Sequence, residues 1–399
     1  MINLNGTSLV STVLIHNTAR VVPLVYKTNT TWVMMVRLFF YLISLVICLT
    51  TYPAAAATLH FLGDANFPAG SIIDGKRFNG LSGITYDEDQ DLFYIISDDR
   101  AEYDQARVYV AEIDIGETVR VSPHKALYLQ GPDNQLFARN TIDFEGIIIL
   151  PNNNLLISSE GAESRRINPS LFEFTREGTF IREWPLPSIF AADKDGDYGI
   201  RNNLALESLA ITPDKKFIFT ANEQALKQDG PVVTISNGSP VRIIKYNSSG
   251  QTLAHYFYMV DPLPNPLRNK SLKGDNGLVE LVALDEWQLL ALERSYLPEL
   301  RRNIIRLYRV DLSTAQDVSR LDSLLHSAAE VSFAKKELVF DFDSIVPQLS
   351  SDFPSLDNLE GICLGPVLGD GARSLVLVSD GNFNKSQRTQ FLILKIMFE

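Results

Sequence analysis

One pattern recurs five times in this chain, and it limits the fold more than any other feature. The copies are LSGITYDEDQDLFYIISDD (81–99), FEGIIILPNNNLLISSEG (144–161), LESLAITPDKKFIFTANE (206–223), VELVALDEWQLLALERS (279–295) and LEGICLGPVLGDGARSLVLVSDG (359–381). Each is an apolar, β-branched run, then turn residues, then a second apolar run, which is the signature of a β-hairpin. Each also carries polar residues at its two ends. The first position holds Ser82, Glu145, Glu207, Glu280 and Glu360, and the second holds Asp98, Glu160, Glu223, Glu293 and Asp380. Repetition at this scale sets the architecture before any local feature does.

Two further strand-like runs follow each of the first four hairpins, for example RVYVAEID and VRVSPHKALYL after the first. The fifth is followed only by QFLILKIMF, and the segment TLHFLGD (58–64) can supply its missing fourth strand. The expected fold is all-β: a β-propeller of four-stranded antiparallel blades, closed by the N-terminal strand of the mature chain. The count is five blades, or six if a long insertion hides a degenerate one. A β-sandwich would not produce five copies in phase. One insertion, STAQDVSRLDSLLHSAAE (313–330), spaces Val318, Leu321 and Leu325 as an amphipathic helix would. If PNNN (151–154) is the loop of the second hairpin, Leu150 faces Leu155 and Glu145 faces Glu160.

Residues 1–57 differ from the rest. They contain no acid, and their basic residues are Arg20, Lys27 and Arg37. The apolar run 38–50 follows Arg37 and precedes Ala54–Ala57, and it is shorter than the ~20 residues of a membrane span. This reads as a secretory signal, with Met34 or Met35 as a natural start, so the mature protein is expected to be one propeller domain over 58–399, secreted or periplasmic. Loss of the leader removes three positive charges and shifts the formal charge from −12 to −15. Such an acidic domain is a poor partner for nucleic acid and a reasonable one for cations. Cys48 leaves with the leader. Cys363 then stands alone, which excludes an intramolecular disulfide and a cysteine zinc site. No oligomerisation signal stands out, and a monomer is expected.

The hairpin geometry brings both ends of each copy to one edge, so up to nine carboxylates would converge on one mouth of the channel. Like charges ~5 Å apart destabilise a sheet and need an offset. Calcium, which takes six to eight oxygen ligands, suits such a mouth. Asp98, Glu145, Glu160, Glu207, Glu223, Glu280, Glu293, Glu360 and Asp380 are the candidate metal ligands. Arg100, Lys227 and Arg294 follow second-position acids and are candidates to hold substrate. A separate run, Asp193-Lys194-Asp195-Gly196-Asp197, resembles the start of a calcium loop, but Tyr198 and Leu204 stand where that loop needs Gly and Glu.

In combination and order, several segments carry a family resemblance. They are Phe78–Gly83 with Ser97–Arg100, Asp143–Gly146, Leu206–Leu209 with Leu226–Gly230, Glu280–Leu284 with Leu292–Arg294, and Asn358–Gly361 with Ser379–Asn382 and Gln387–Thr389. The chain thereby resembles the phytase-like family, known by the description "esterase-like activity of phytase", over about 60–399. The resemblance implies a secreted or periplasmic propeller, and its name implies phosphate-ester hydrolysis. Glu207-Ser208 departs from the Glu-Gly more usual in the family.

Three functions follow as expectations. The first is a calcium-dependent phosphoesterase, in which bound calcium inverts the local potential and a ring carboxylate acts as general base. The second, a serine esterase, is disfavoured because no G-x-S-x-G occurs, and because His60, His124, His255 and His326 lie outside the repeated motifs. The third is a non-catalytic, calcium-stabilised binding propeller of the cell envelope.

Overall fold

A computed structural model describes residues 57–398, apart from 267, 270, 328 and 329. The apolar runs of the sequence become strands and the Asn-, Asp- and Gly-rich segments between them become turns. Strand β1 (Ala57–Pro68) and a small hairpin, β2 (Ile72–Ile73) with β3 (Lys76–Arg77), precede the first blade. Blade one is β4 (Leu81–Asp87), β5 (Leu92–Ser97), β6 (Arg107–Ile115) and β7 (Val119–Tyr128). Blade two is β8 (Phe144–Ile149), β9 (Leu155–Ser159), β10 (Ser170–Phe174) and β11 (Phe180–Trp184). Blade three is β12 (Leu206–Ile211), β13 (Phe217–Asn222), β14 (Ser239–Asn247) and β15 (Thr252–Val260). Blade four is β16 (Asp275–Ala283), β17 (Gln288–Leu297), β18 (Arg302–Asp311) and β19 (Lys335–Asp341). Blade five is β20 (Asn358–Val367), β21 (Arg373–Asp380), β22 (Arg388–Phe398) and β1, with β1 antiparallel to β22 from Ala57↔Phe398 to Pro68↔Arg388.

The first strands of the blades, β4, β8, β12, β16 and β20, neighbour one another in turn, and β20 returns to β4. The molecule is a five-bladed β-propeller. Inner strands such as β8 are buried on both faces, whereas the outer strand β7 alternates. Five apolar clusters lie between successive blades; one joins Tyr94, Ile96 and Val108 of blade one to Phe144, Ile147 and Ile157 of blade two. Residues 1–56, including the expected signal, lie outside the described residues.

Every hairpin departs from simple register at the same place. The pairing skips between Leu81 and Gly83, Phe144 and Ile147, Leu206 and Ser208, Leu278 and Glu280, and Leu359 and Gly361. Each skip is a β-bulge, where extra residues of the inner strand face one position of the partner. The expected pairing of Leu150 with Leu155 is therefore wrong by one. Ile149 faces Leu155, and the Leu150 amide donates to the Asn154 carbonyl at 2.9 Å. Glu145 sits in the bulge and does not face Glu160. Instead the Glu160 amide donates to the Asp143 carbonyl at 2.8 Å.

The bulges bring neighbouring inner strands close, and glycine makes this feasible. A Cβ on Gly146 would stand 2.7 Å from the Leu209 amide nitrogen and 2.9 Å from the Glu207 carbonyl oxygen. A Cβ on Gly361 would stand 3.0 Å from the Gly83 Cα, which links blade five to blade one.

Among the described residues of 313–330 the expected helix does not form. The carbonyls it would need are used elsewhere: Arg242 donates to the Leu321 carbonyl at 2.8 Å and the Val318 carbonyl at 3.3 Å. The Val318 amide donates to the His255 carbonyl, and Ser323 Oγ donates to the Gln228 carbonyl. This strap is pinned by the fully buried pair of Arg242 and Asp229, at 2.6 and 2.8 Å.

Two substitutions test this framework. Gly146→Ala should cost about 1–3 kcal/mol of unfolding free energy in a denaturant titration, as overpacking does. Gly369→Ala is the control, because nothing lies within 4 Å of its Cβ, and it should be near neutral. Asp229→Ala strands a buried guanidinium and should cost about 3–5 kcal/mol.

Candidate metal centre

The bulge decides which side chains reach the mouth. Aligned on the bulged residue, the first position reads Ser82, Glu145, Glu207, Val279 and Glu360. One residue past the strand partner, the second position reads Asp98, Glu160, Glu223, Arg294 and Asp380. In blade four, Leu278 faces Glu293 and Gly277 faces Arg294, whereas in blade two Phe144 faces Ser159 and Glu160 follows. The fourth copy is thus one residue out of phase with the sequence reading. The apolar residue before the bulge gives the true anchor: Leu81-Ser82-Gly83, Phe144-Glu145-Gly146, Leu206-Glu207-Ser208, Leu278-Val279-Glu280 and Leu359-Glu360-Gly361.

Glu280 and Glu293 are therefore corrected: neither belongs to the ring. Glu280 stands where three other blades carry glycine. Its Oε1 accepts from the Leu209 amide at 2.7 Å and the Leu281 amide at 3.0 Å. Burial pushes its pKa well up, and no neighbouring acid contributes. Glu293 points into the blade, where Tyr258 Oη donates to it at 2.6 Å, Asn276 Nδ2 at 3.0 Å and Lys336 Nζ at 2.6 Å.

The remaining acids do converge, joined by Asp143, which the repeat reading missed. Asp143, Glu145 and Glu160 each offer an oxygen, all within 4.8 Å of one another, and so do Glu160, Glu207 and Glu223. Glu160 belongs to both groups. Asp143 directly precedes the second copy and faces Glu160, so the signal was the residue before the bulge's apolar anchor.

The electrostatics follow from crowding. Burial, then the charges of Asp143 and Glu360, push Asp98 up to about 8. Burial likewise pushes Glu223 up to about 8, partly opposed by Arg294. Glu145, Glu160, Glu207 and Asp380 all lie well above the ordinary range, through burial first and neighbouring carboxylates second. Among the described residues, Glu145, only 8% exposed, receives no hydrogen bond on its carboxylate, and one oxygen each of Asp98 and Asp143 is buried without a partner.

The three basic candidates separate. Arg100 pairs with Asp143 beside the ring, is 42% exposed, and donates to Asn203 Oδ1 at 2.9 Å. Arg294 is part of the ring, with Nη2 2.8 Å from Glu360 and 3.7 Å from Glu223. Lys227 pairs with Glu163 at 2.7 Å and donates to the Asp193 and Gly196 carbonyls. Its ammonium is bound to the acidic loop over 193–197, not to the mouth. Ser82 is no exposed nucleophile: its hydroxyl, 4% exposed, donates to the Phe144 and Glu145 carbonyls, both at 3.1 Å.

The donor set of both groups is entirely carboxylate, which fits a hard oxygen-seeking cation rather than a nitrogen- or sulfur-seeking one. Fold and site together define a propeller with an acid-ringed mouth. The model of the family described as "Phytase-like: Esterase-like activity of phytase" matches residues 76–383, and the chain belongs to that family. No curated protein matches the sequence significantly. Among solved structures, an endo-arabinase from Bacteroides thetaiotaomicron is 10% identical with a TM-score of 0.42, over 85% of this chain and 98% of that one. A mannose phosphorylase from Leishmania mexicana, in complex with phosphate ion, is 10% identical with a TM-score of 0.37, over 79% and 82%. These likenesses are too distant to bear on function.

The raised pKa values have a stability consequence. The folded protein holds protons on acids that titrate near ~4 in the unfolded chain. That contribution is fully present below ~4 and is lost as pH rises through the folded values, about 8 for Asp98 and Glu223. In chelator, the melting temperature should therefore fall between pH 5 and pH 8, and a divalent cation should flatten the slope. A melting temperature that is flat or rising in chelator across that window would contradict the crowded ring.

Proposed function

We propose that the protein is a secreted or periplasmic, monomeric phytase-like propeller that hydrolyses phosphate esters at the acid-ringed mouth with calcium bound there. The supporting observation is the oxygen-only convergence of Asp143, Glu145, Glu160, Glu207 and Glu223. These residues would hold the ion. Bound calcium would supply the positive charge that lets a phosphate enter an acidic mouth and polarises its oxygens. Arg100, half-exposed beside Asp143, is placed to grip a phosphate oxygen with a charge-assisted hydrogen bond. Asp98, Glu360 and Asp380 lie outside both groups; Glu360 is held by Arg294 at 2.8 Å, which leaves Asp98 and Asp380 to take a proton from the attacking water. The proposal of export rests on the apolar run 38–50 and Ala54–Ala57; among the described residues no helix is long and apolar enough to cross a membrane.

A second reading, a calcium-stabilised binding propeller, is favoured by one observation. Arg294, Lys227 and Arg100 all pair with protein carboxylates, and Arg100 is only the most exposed of the three, so none is held ready for phosphate alone. A panel of phosphomonoesters, assayed with calcium and with chelator, separates the two. Calcium-dependent turnover that Glu160→Gln abolishes supports the esterase, and Arg100→Ala should then lower kcat/KM about ten- to a hundredfold, as loss of a charged hydrogen bond does. No turnover on any ester, while calcium still raises the melting temperature, leaves the binding reading.

A further inference from the structure

The blades do not contribute equally to the ring. At the second position four blades present an acid and the fourth presents Arg294. At the first position that same blade presents Val279. The Arg294 side chain is 12% exposed, with Nη2 2.8 Å from Glu360 Oε1 and 3.7 Å from Glu223 Oε1, and Nη1 3.5 Å from Asp275 Oδ1. Gly277, opposite Arg294, keeps the approach open, since a Cβ there would lie 2.2 Å from Glu223 Oε1.

Hydrogen bonding to the carboxylates also differs around the ring, with Arg294 Nε itself buried without a partner and Glu160 Oε1 accepting from the Ala205 amide at 2.8 Å. On the side of blades four and five, Glu360 accepts from Arg294 and from Asn358 Nδ2 at 2.9 Å, and Asp380 accepts from Asn358 Nδ2 at 3.3 Å and the Asn382 amide at 2.7 Å. On the other side, Glu145 has no donor although more than nine-tenths buried, and Asp143 Oδ1 is buried and unpartnered. Both groups of converging oxygens lie on this second side.

We propose that Arg294 is a cation built into the chain that takes the place of one metal ion. Divalent cations then bind only in the sector of Asp143, Glu145, Glu160, Glu207 and Glu223, and the sector of Glu360 and Asp380 is closed to them. The inference rests on the reading that the ring binds a divalent cation, but it concerns where and how many. A guanidinium is permanently charged and cannot leave, so it neutralises Glu360, 2.8 Å away, whether or not metal is present, while Glu223 at 3.7 Å borders both sectors. An exchangeable ion on the opposite side is then the variable part of the charge balance.

Calcium titration of the full chain by calorimetry, with thermal melts in chelator and in calcium, tests this. Wild type and Glu360→Gln should bind the same number of calcium ions, whereas Glu160→Gln should bind at least about tenfold more weakly, a loss of about 1.4 kcal/mol. Arg294→Gln should melt lower in chelator, recover more than wild type on adding calcium, and bind one further ion. Loss of an ion in Glu360→Gln, or an unchanged stoichiometry in a folded Arg294→Gln, overturns the proposal while leaving the cation reading intact. A wild-type protein that binds no calcium removes the cation reading itself, and this proposal with it. Should Arg294→Gln fold only in calcium, that requirement supports the proposal and the Glu360→Gln arm decides the location.

Discussion

The bulge at the start of each inner strand is the constraint on which the remaining structure depends. A ring of five sheets brings five backbones into close approach around a channel, and regular pairing would leave the residues at the strand starts alternating between channel and blade interior. The bulge adds a residue there and so aims one side chain of each hairpin at the mouth. It also frees backbone groups from the ladder, which neighbouring blades must satisfy. Ser82 donates to the carbonyls of Phe144 and Glu145, Ser158 donates to the Glu207 carbonyl at 3.0 Å, and Glu280 accepts from the Leu209 amide. The bulges that shape the mouth therefore also bolt one blade to the next.

Much of this was legible in the sequence. Five hairpins in phase, with two trailing strands each, identify the propeller and locate its polar edge because strand alternation and turn chemistry are local properties. The ring residues of blades two, three and five, Glu145, Glu160, Glu207, Glu223, Glu360 and Asp380, followed from that phase. Blade four did not, because its two acids lie one residue off the ring positions. Glu280 and Glu293 matched in type, and only the register shows that Val279 and Arg294 hold the equivalent places. Asp143 was passed over because it lies before the repeat, and its pairing with Glu160 exists only once the bulge is known. The helix expected over 313–330 failed for a tertiary reason: Arg242, buried against Asp229, captures the carbonyls that a helix would have used.

Positive charge is distributed with the same economy. Arg294 answers Glu360 and Glu223 inside the ring, Arg100 answers Asp143 at its margin, and Lys227 holds the carbonyls of the 193–197 loop. The loop that resembles a calcium-binding segment thus carries an ammonium among its oxygens. Nearby acids with similar composition have different fates according to whether a basic side chain can reach them.

The pairing of β1 with β22 spans nearly the entire described chain, from Ala57↔Phe398 to Pro68↔Arg388. Such a contact has the highest sequence separation among the described strands, and long-range pairing is slow to form. Strand β1 must wait for β22, so the ring stays open until that strand has been made. During that interval β1 and β21 lack the strand that pairs with both, and assembly of the fifth sheet becomes the natural final step of folding. The fifth sheet therefore cannot close before β22 is in place, and the ring locks in one step rather than blade by blade.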